Sequence, residues 1–245
     1  MILAAGLGTR LRPLTDRVPK ALVRVGGIPM LQHVARRLID AGVDRLIINV
    51  HHHAAQVEHF VRERKGFGVD VRISHEPEHA LETGGGLLYA AALFRRTSPF
   101  FLHNVDIITG VPLEAMYRAH VTSGALATLA VSDRPSDRLL RFDEDGLQAR
   151  VDRSRDRVEA ERPQRGEGVD LAFAGIHVIE PGLLDLITER GAFSIVQPYL
   201  RLAGGGHRIL PYHIGSALWM EVGDPERLER ARRFMRRSDG EGEDT

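Results

Sequence analysis

The residues most able to do chemistry lie in one glycine-rich and arginine-rich loop near the start of the chain. The segment MILAAGLGTRLRPLTDRVPK opens as a short apolar strand and continues into a loop that contains Gly6, Gly8, Arg10 and Lys20. Glycine amides let a polyphosphate approach the backbone closely, and cationic side chains neutralise its charge. A loop that follows a strand of a parallel sheet lies where such sheets bind ligands, so the segment predicts a triphosphate site.

Two common phosphate-binding loops are excluded by the residues that follow. A dinucleotide-binding loop has a third glycine where this chain has Leu11, and it leads directly into a helix. Here Pro13 and Pro19 favour a long irregular loop. A P-loop is excluded because no Gly-Lys-Ser/Thr sequence follows at the required spacing. The glycines taken alone fit an ordinary strand-to-helix loop equally well.

Two later segments place chemically useful groups after predicted strands. Asp106 follows the apolar run FFLHNV, where one carboxylate could bridge Mg²⁺ to phosphate oxygens. Its spacing alone fits a loop or helix-capping carboxylate equally well. In LETGGG, three glycines precede a predicted helix and offer exposed amides and space for a nucleobase or ribose. The alternative for this segment is a flexible helix start.

Composition narrows the class of protein. The 245 residues include 33 basic and 33 acidic side chains, so no overall charge attracts nucleic acid or a membrane surface. The absence of cysteine excludes disulfides, thiol nucleophiles and cysteine-held zinc. No secretory signal or bilayer-length apolar run is present, and we expect a cytoplasmic protein. Only Lys20 and Lys65 are lysines, which indicates that Lys20 was selected over arginine.

The elements that must position these residues alternate along the chain. The apolar positions from Pro29 to Ala41 recur at helical spacing, and RLIINV, AAQVEHFVRERKG and VDVRISHE then indicate a strand, a helix and another strand. Such alternation predicts an α/β protein, a Rossmann-like three-layer α/β/α sandwich with a mostly parallel mixed sheet.

The second half of the chain interrupts this alternation. A turn at Glu144–Gly146 predicts a hairpin, and DRSRDRVEAERPQRGEG predicts a charged, mobile loop. We predict a single domain over 1–237, whose pattern changes at about residue 132. The acidic residues 238–245 are predicted to be a disordered tail.

Five segments in order along the chain resemble the sugar-1-phosphate nucleotidyltransferases, in particular a short bacterial branch of uridylyl- and guanylyltransferases. They are LAAGLGTRLRPLTDRVPKAL, LETGGG, NVDII, FAGIHVI and WMEVGDPE, so the resemblance covers nearly the whole chain. It implies the nucleotide-diphospho-sugar transferase fold, with a nucleotide-binding half at about 1–132 and a sugar-phosphate-binding half at about 133–237. It also implies Mg²⁺-dependent, in-line attack of a sugar 1-phosphate on the α-phosphate of a nucleoside triphosphate, with release of pyrophosphate.

The resemblance also implies roles for individual residues. It assigns catalysis to Arg10 on the leaving phosphates, Lys20 near the α-phosphate, and Asp106. It assigns nucleotide binding to Ala5, Gly6, Gly8, Thr9, Arg10, Glu82, Thr83, Gly84 and Gly85. It assigns substrate binding to Asn104, Gly175 and Glu221, and Mg²⁺ binding to Asp106 and Glu221.

The chain departs from the family pattern at a few positions. The family motif Trp-x-Asp-Val-Gly-Thr-Pro reads WMEVGDP here, so Glu221 replaces an aspartate and Asp224 replaces a threonine. A Glu-Lys pair used for sugar recognition in wider family members has no clear counterpart, although Glu161 and Arg162 lie in the second half.

Other interpretations stay open, and the Glu221 departure supports the second of them. The acceptor could be phosphocholine or another phosphomonoester. The protein could also be an inactive regulatory subunit that binds nucleotide sugars, and a dinucleotide oxidoreductase is the third alternative. We expect the partners to be a nucleoside triphosphate and a sugar 1-phosphate, without nucleic acid or membrane, and the chain to be a monomer or a small homo-oligomer.

Overall fold

The computed structural model describes residues 1–76 and 79–240, which form two compact units of helices and strands. The N-terminal unit consists of the described residues of Ile2–Ala80, Asn104–Val111 and Leu218–Thr245. The central unit consists of Met1, Leu81–His103 and Pro112–Ala217.

The strands and helices are numbered in chain order. The strands are β1 (Ile2–Leu3), β2 (Arg24–Val25), β3 (Ile28–Pro29), β4 (Arg45–Val50), β5 (Asp70–His75), β6 (Phe100–Asn104), β7 (Ile107–Thr109), β8 (Ala127–Ser132), β9 (Arg138–Asp143), β10 (Gly146–Asp152), β11 (Arg157–Ala160), β12 (Val169–Ile179), β13 (Ile209–His213) and β14 (Trp219–Glu221). The α-helices are α1 (Met30–Asp40), α2 (Ala54–Glu63), α3 (Glu82–Tyr89), α4 (Leu113–Ser123), α5 (Leu183–Leu186), α6 (Val196–Gly204) and α7 (Pro225–Gly240).

Parallel pairing in the N-terminal unit runs in the order β1, β4, β5. Strand β4 is buried from Leu46 to Val50, the continuous apolar run typical of a strand covered on both faces. Helix α1 buries Leu31, Val34 and Leu38 at helical spacing. The helix ends at Asp40, and the chain then turns at Gly42, whose positive φ of 88° few other residues adopt. The helix predicted from Pro29 to Ala41 is confirmed within one residue at each end.

A separate antiparallel ribbon of β7 and β14 completes the N-terminal unit, with Glu221 opposite Ile107. One apolar core cluster joins this ribbon to the opening loop and to helices α1 and α7. It includes Leu11, Val23, Met30, Ile108, Met220, Val222 and Leu228. Burial of these side chains therefore fixes the loop, the ribbon and the last helix to one another.

The central unit is mainly antiparallel, in the order β11, β10, β9, β12, β6. Strand β8 pairs antiparallel with β12 and parallel with β13, so the sheet is mixed. The predicted hairpin is confirmed: β9 and β10 are joined through Glu144 and Asp145, and Gly146 has a φ of 108°.

The charged segment after this hairpin is more ordered than its composition predicts. Residues Arg157–Ala160 form β11 along the edge of β10, with Val158 opposite Val151. Arg162 then donates to both carboxylate oxygens of Asp143, and its guanidinium holds the pKa of that buried carboxyl well below its usual range. The expectation of a mobile loop is therefore wrong for this strand, because paired charges and the hairpin edge fix it.

The compact units do not follow chain order, since each is assembled from separated segments. The nucleotide-binding half at 1–132 and the sugar-phosphate half at 133–237 stay predictions about function. Helix α7 extends through Gly240, so the predicted disordered tail does not begin at residue 238; residues 241–245 lie outside the described residues. Across the described ranges, no helix is both long and apolar enough to cross a bilayer.

Candidate functional site

The opening loop is held in an irregular, compact conformation by Gly8. This residue has a φ of 63°, and a Cβ there would lie 2.9 Å from Thr15 Cγ2 and 3.2 Å from Lys20 Cβ. Thr15 Oγ1 also donates to the Gly8 carbonyl at 2.8 Å. Three short 3₁₀ turns occupy the loop where a dinucleotide-binding protein would continue into an α-helix. The prediction of a long irregular loop is confirmed.

The other glycine-loop residues differ in burial. Ala5 is buried, whereas Gly6 and Thr9 are exposed, and the space around a Cβ at Gly6 is open. Leu7 is exposed as well and Gly8 is half-buried, so this part of the loop is largely open to solvent. The Ala4 amide beside it donates to Asn49 Oδ1 at 2.7 Å, which fixes the end of β1.

Asn49 is a supporting residue that sequence reasoning missed. It is buried at the end of β4, and its Nδ2 donates to Glu76 Oε1 at 2.6 Å. Its polarity within the apolar run RLIINV was the available signal, because a buried amide needs partners.

Lys20 and Asp106 form an ion pair, with Lys20 Nζ 2.5 Å from Asp106 Oδ2. Their side chains are only 12% and 16% exposed, so the pair is largely shielded from water. Asp106 follows β6 directly before β7, and its carbonyl accepts from the Val222 amide at 2.8 Å. The expected position of Asp106 after a strand is confirmed, and the ribbon connects it to the segment that carries Glu221.

Glu221 contacts two arginines. Arg10 Nη2 lies 3.5 Å from Glu221 Oε1, and Arg227 Nη1 donates to Glu221 Oε2. Gly223 leaves space for this arrangement, since a Cβ there would lie 2.9 Å from both Arg10 Nη2 and Glu221 Oε1. The N-terminal unit thus brings together four predicted residues: Arg10, Lys20, Asp106 and Glu221.

Arg227 is the second residue that sequence reasoning missed. The arginines of a charged helix usually face solvent, but Arg227 lies in the first turn of α7 and contacts two carboxylates. The available signal was its position three residues after Asp224.

The function of Asp224 follows from local structure. Its Oδ1 accepts from the Arg227 amide at 2.9 Å, which is the hydrogen bond of a helix N-cap. Aspartate and threonine both serve as N-caps, so this departure from the family motif preserves helix capping.

The donor set around Asp106 is suited to a hard cation that keeps other ligands. Among the described residues, no cluster of three or more His, Cys, Asp or Glu side chains could hold a metal by itself. Mg²⁺ is commonly bound by one or two carboxylates together with water and substrate phosphates, so Asp106, paired with Lys20 of the predicted phosphate-binding loop, fits it. Both Glu221 oxygens already face guanidinium groups.

The predicted base-binding glycines are packed inside the central unit. Gly84 and Gly85 are buried, and both amides donate to the Phe193 carbonyl, at 2.9 and 3.3 Å. A Cβ at Gly84 would lie 2.3 Å from the Phe193 ring. Thr83 Oγ1 accepts from the Ile195 amide at 2.9 Å. The expectation that the amides of Gly84 and Gly85 are exposed is therefore wrong: these glycines admit the segment around Phe193.

Three candidates remain: Glu82 and Gly175 in the central unit, and Asn104 in the N-terminal unit. Glu82 is exposed, with a φ of 58° at the start of α3. Gly175 has a φ of 76° in β12, where the register with β8 shifts between Phe173 and His177. Asn104 ends β6 and is half-buried. Nucleotide and sugar contacts at these positions stay predictions.

The Arg162 guanidinium has a structural role, because its hydrogen bonds go to groups of the β9–β10 hairpin. Besides Asp143, it donates to the carbonyls of Leu147 and Gly146 at 3.3 and 3.1 Å. These contacts anchor the segment that follows β11 to the hairpin.

The comparisons with known proteins agree with this arrangement. The Nucleotidyl transferase family profile matches residues 1–238. N-acetylmuramate alpha-1-phosphate uridylyltransferase from Caulobacter vibrioides is 36% identical over 234 residues, covering 92% of each chain. Mannose-1-phosphate guanylyltransferase catalytic subunit beta from Drosophila melanogaster is 32% identical over 92% of this chain and 59% of its own length.

A solved structure shows the same fold at low sequence identity. UDP-glucose pyrophosphorylase from Acinetobacter baumannii superposes with a TM-score of 0.76 at 18% identity, covering 94% of this chain and 90% of the other. The predicted α/β fold class is confirmed. With the family match over nearly its whole length, this chain belongs to the nucleotidyl transferase family.

Proposed function

We propose that this nucleotidyltransferase condenses a nucleoside triphosphate with a sugar 1-phosphate, giving a nucleoside-diphosphate sugar and pyrophosphate. The observation that carries the proposal is the ion pair of Lys20 and Asp106, which joins the glycine-rich and arginine-rich loop to an acidic side chain within the N-terminal unit. Both substrates are anions, so the site must neutralise charge and align the reactants more than it must transfer protons.

In the proposed reaction, a phosphate oxygen of the sugar 1-phosphate attacks the α-phosphorus of the triphosphate. The new bond joins that oxygen to the α-phosphorus, and the bond from the α-phosphorus to the α,β-bridging oxygen breaks. The electron pair leaves with pyrophosphate, so no oxidant or reductant is required.

The residues of the opening loop support this chemistry. The largely exposed residues 6–9 offer backbone amides to the triphosphate, and the Arg10 guanidinium can bind two oxygens of the leaving phosphates. Lys20 is placed by Gly8 and Asp106, and its compact ammonium follows the α-phosphate oxygens as charge develops on them.

We propose Mg²⁺ as the cofactor, with Asp106 as its principal protein ligand. When bound, the ion neutralises phosphate charge and stabilises the leaving pyrophosphate. Glu221 is the second acidic side chain of the site. It pairs across the ribbon with Ile107, the residue after Asp106, and its two oxygens face arginines. Asp106 is therefore the ligand that the donor set supports best.

The first substrate pair to test is UTP with N-acetylmuramate α-1-phosphate. The support is the Caulobacter relative, which carries that activity in its name and matches this chain over 92% of both lengths. GTP with mannose 1-phosphate is the second pair, supported by the more distant guanylyltransferase. A cytoplasmic location fits the use of nucleoside triphosphates.

Pyrophosphate release tests the proposal. The purified protein is incubated with Mg²⁺, each of UTP, dTTP, GTP, CTP and ATP, and a panel of sugar 1-phosphates and phosphocholine. We expect pyrophosphate release only when a nucleoside triphosphate and a sugar 1-phosphate are both present. Turnover only with phosphocholine or another phosphomonoester would reassign the acceptor. Binding of nucleotide sugars without release in any combination would contradict the enzyme assignment and favour a regulatory protein.

A further inference from the structure

We propose that Arg227 is a positioning residue for the opening loop: it holds Glu221, and through Glu221 it orients the Arg10 guanidinium toward a bound polyphosphate. This inference rests on the proposed function, because it takes the triphosphate as the partner of Arg10. It concerns side chains of the N-terminal unit only.

The Glu221 carboxylate is divided between two guanidinium groups. Arg227 Nη1 donates to Oε2, and Arg10 Nη2 lies 3.5 Å from Oε1. Glu221 is the single ion-pair partner of Arg10 within residues 1–76 and 79–240. Because the Arg10 side chain is 62% exposed, it would otherwise retain most of its rotamer freedom, which a polyphosphate would have to restrict on binding.

The backbone at Gly223 lies directly beside the Arg10–Glu221 contact. Its Cβ would lie 2.9 Å from both Arg10 Nη2 and Glu221 Oε1, so the backbone leaves a space that these two groups occupy. The residue has no positive φ that would require glycine for conformational reasons. Space for the ion pair is therefore what the absence of a side chain supplies.

The position of Arg227 also needs explanation, because a cation in the first turn of a helix opposes the helix dipole. Two carboxylates compensate: Glu221 accepts from Nη1, and Asp224 Oδ2 lies 3.3 Å from Nε. Glu221 and Asp224, the two residues that depart from the family motif, thus both contact the Arg227 guanidinium. The extra methylene of glutamate extends the carboxylate, which here contacts Arg10 and Arg227 together.

In this account Glu221 orients the Arg10 guanidinium. The affinity of the site for a divalent ion depends instead on Asp106. Loss of the Arg227 guanidinium should free Glu221, loosen Arg10 and weaken polyphosphate binding. It should leave the affinity for a divalent ion unchanged.

The test uses inorganic tripolyphosphate, so that neither nucleobase nor sugar needs to be known. Isothermal titration calorimetry compares the full-length wild type with Arg227→Met, and with Arg230→Met as a matched loss of an exposed arginine on the same helix. We expect Arg227→Met to bind about five- to tenfold more weakly and Arg230→Met to bind as the wild type does. Arg227→Lys, which keeps the charge, should recover part of the loss.

Two further measurements separate positioning from metal binding. Glu221→Gln should weaken tripolyphosphate binding about as much as Arg227→Met, and the double variant should lose little more, because both act through one contact. Mn²⁺ affinity, measured by electron paramagnetic resonance without polyphosphate, should stay within about twofold in both single variants and fall in Asp106→Asn.

Wild-type tripolyphosphate affinity in Arg227→Met would overturn the inference, as would an equal loss in Arg230→Met. So would a fall in Mn²⁺ affinity in Glu221→Gln that matches Asp106→Asn. If the wild type releases pyrophosphate and one of these results is found, only the inference fails. If the wild type neither binds tripolyphosphate nor releases pyrophosphate, the proposed function fails as well.

Discussion

At the scale of single residues, the central contact is between Lys20 and Asp106. A lysine in a chain that otherwise uses arginine almost throughout lies 2.5 Å from the carboxylate that follows β6. Sequence reasoning identified both residues: Lys20 because lysine is rare in this chain, and Asp106 because it follows a predicted strand in a segment that resembles the family. It missed Arg227, since a charged residue on a helix is usually solvated and no periodicity shows which carboxylates fold against it.

Asp106→Asn should reduce turnover by about a thousandfold, since it removes the carboxylate charge that we propose binds Mg²⁺. Asparagine can still accept a hydrogen bond from Lys20, so we expect a thermal unfolding midpoint within a few degrees of the wild type. Steady-state pyrophosphate release and circular dichroism give the two values. A variant that keeps near-normal turnover would remove Asp106 from the catalytic site.

Lys20→Arg and Lys20→Met should both lower kcat by about a hundredfold. Arginine keeps the charge, but its planar guanidinium is larger and less able to follow a moving charge in the space beside Gly8. Kinetics of both variants at saturating substrate provide the measurement. If Lys20→Arg has a kcat within threefold of the wild type, any cation suffices and the argument for lysine is wrong.

At the scale of elements, sequence patterns predicted strands and helices better than the contacts between them. The amphipathic α1 and the β9–β10 hairpin agree with their signals, because those signals are local. The reason for the glycines in LETGGG is not local. They are close-packed against the segment around Phe193, which lies far along the chain, so the sequence showed that space was needed but not what fills it.

Gly84→Ala should lower the free energy of unfolding by about 2 kcal/mol, because the new methyl group would overlap the Phe193 ring. Gly182→Ala is the matched control, since its Cβ position is open and its φ of −59° suits alanine. Urea unfolding of both variants tests the difference. Equal stabilities would show that α3 does not need this close approach.

At the scale of the whole molecule, buried histidines make stability depend on pH. His177 is buried beside Tyr199 and His103, and burial, with a smaller contribution from His103, lowers the pKa of His177 to about 3. Burial also lowers the pKa of His120, partly offset by Glu180. His177 therefore stays neutral in the folded state down to about pH 3, while an unfolded histidine binds a proton below about pH 6.5.

Protonation therefore favours the unfolded state. The stabilising contribution of neutral His177 is complete above about pH 6.5 and declines by about 1.4 kcal/mol per pH unit as the pH falls toward 3. We expect the free energy of unfolding to fall between pH 7 and pH 5 by about 2 kcal/mol more in the wild type than in His177→Gln. Urea unfolding at both pH values measures this, and an identical pH dependence in the two proteins would contradict the account.

The composition of the whole molecule predicted the class of function only by exclusion, whereas the order of motifs along the chain predicted the family. Zero net charge and the absence of cysteine removed several chemistries but could not identify this one. The assembly of Arg10, Lys20, Asp106 and Glu221 in the N-terminal unit depends on a ribbon between β7 and β14, which are widely separated in sequence. Local patterns cannot supply that pairing.

The most direct measurement of the central claim, nucleotidyl transfer by attack on the α-phosphorus, is the fate of an isotope label. A sugar 1-phosphate with ¹⁸O in its non-bridging phosphate oxygens is turned over with the triphosphate that the release assay identifies, and the products are analysed by ³¹P NMR. The account predicts that the nucleoside-diphosphate sugar retains all of the label, including one ¹⁸O in the new bridge, and that the pyrophosphate contains none. Label in the pyrophosphate, or loss of label from the sugar product, would contradict it.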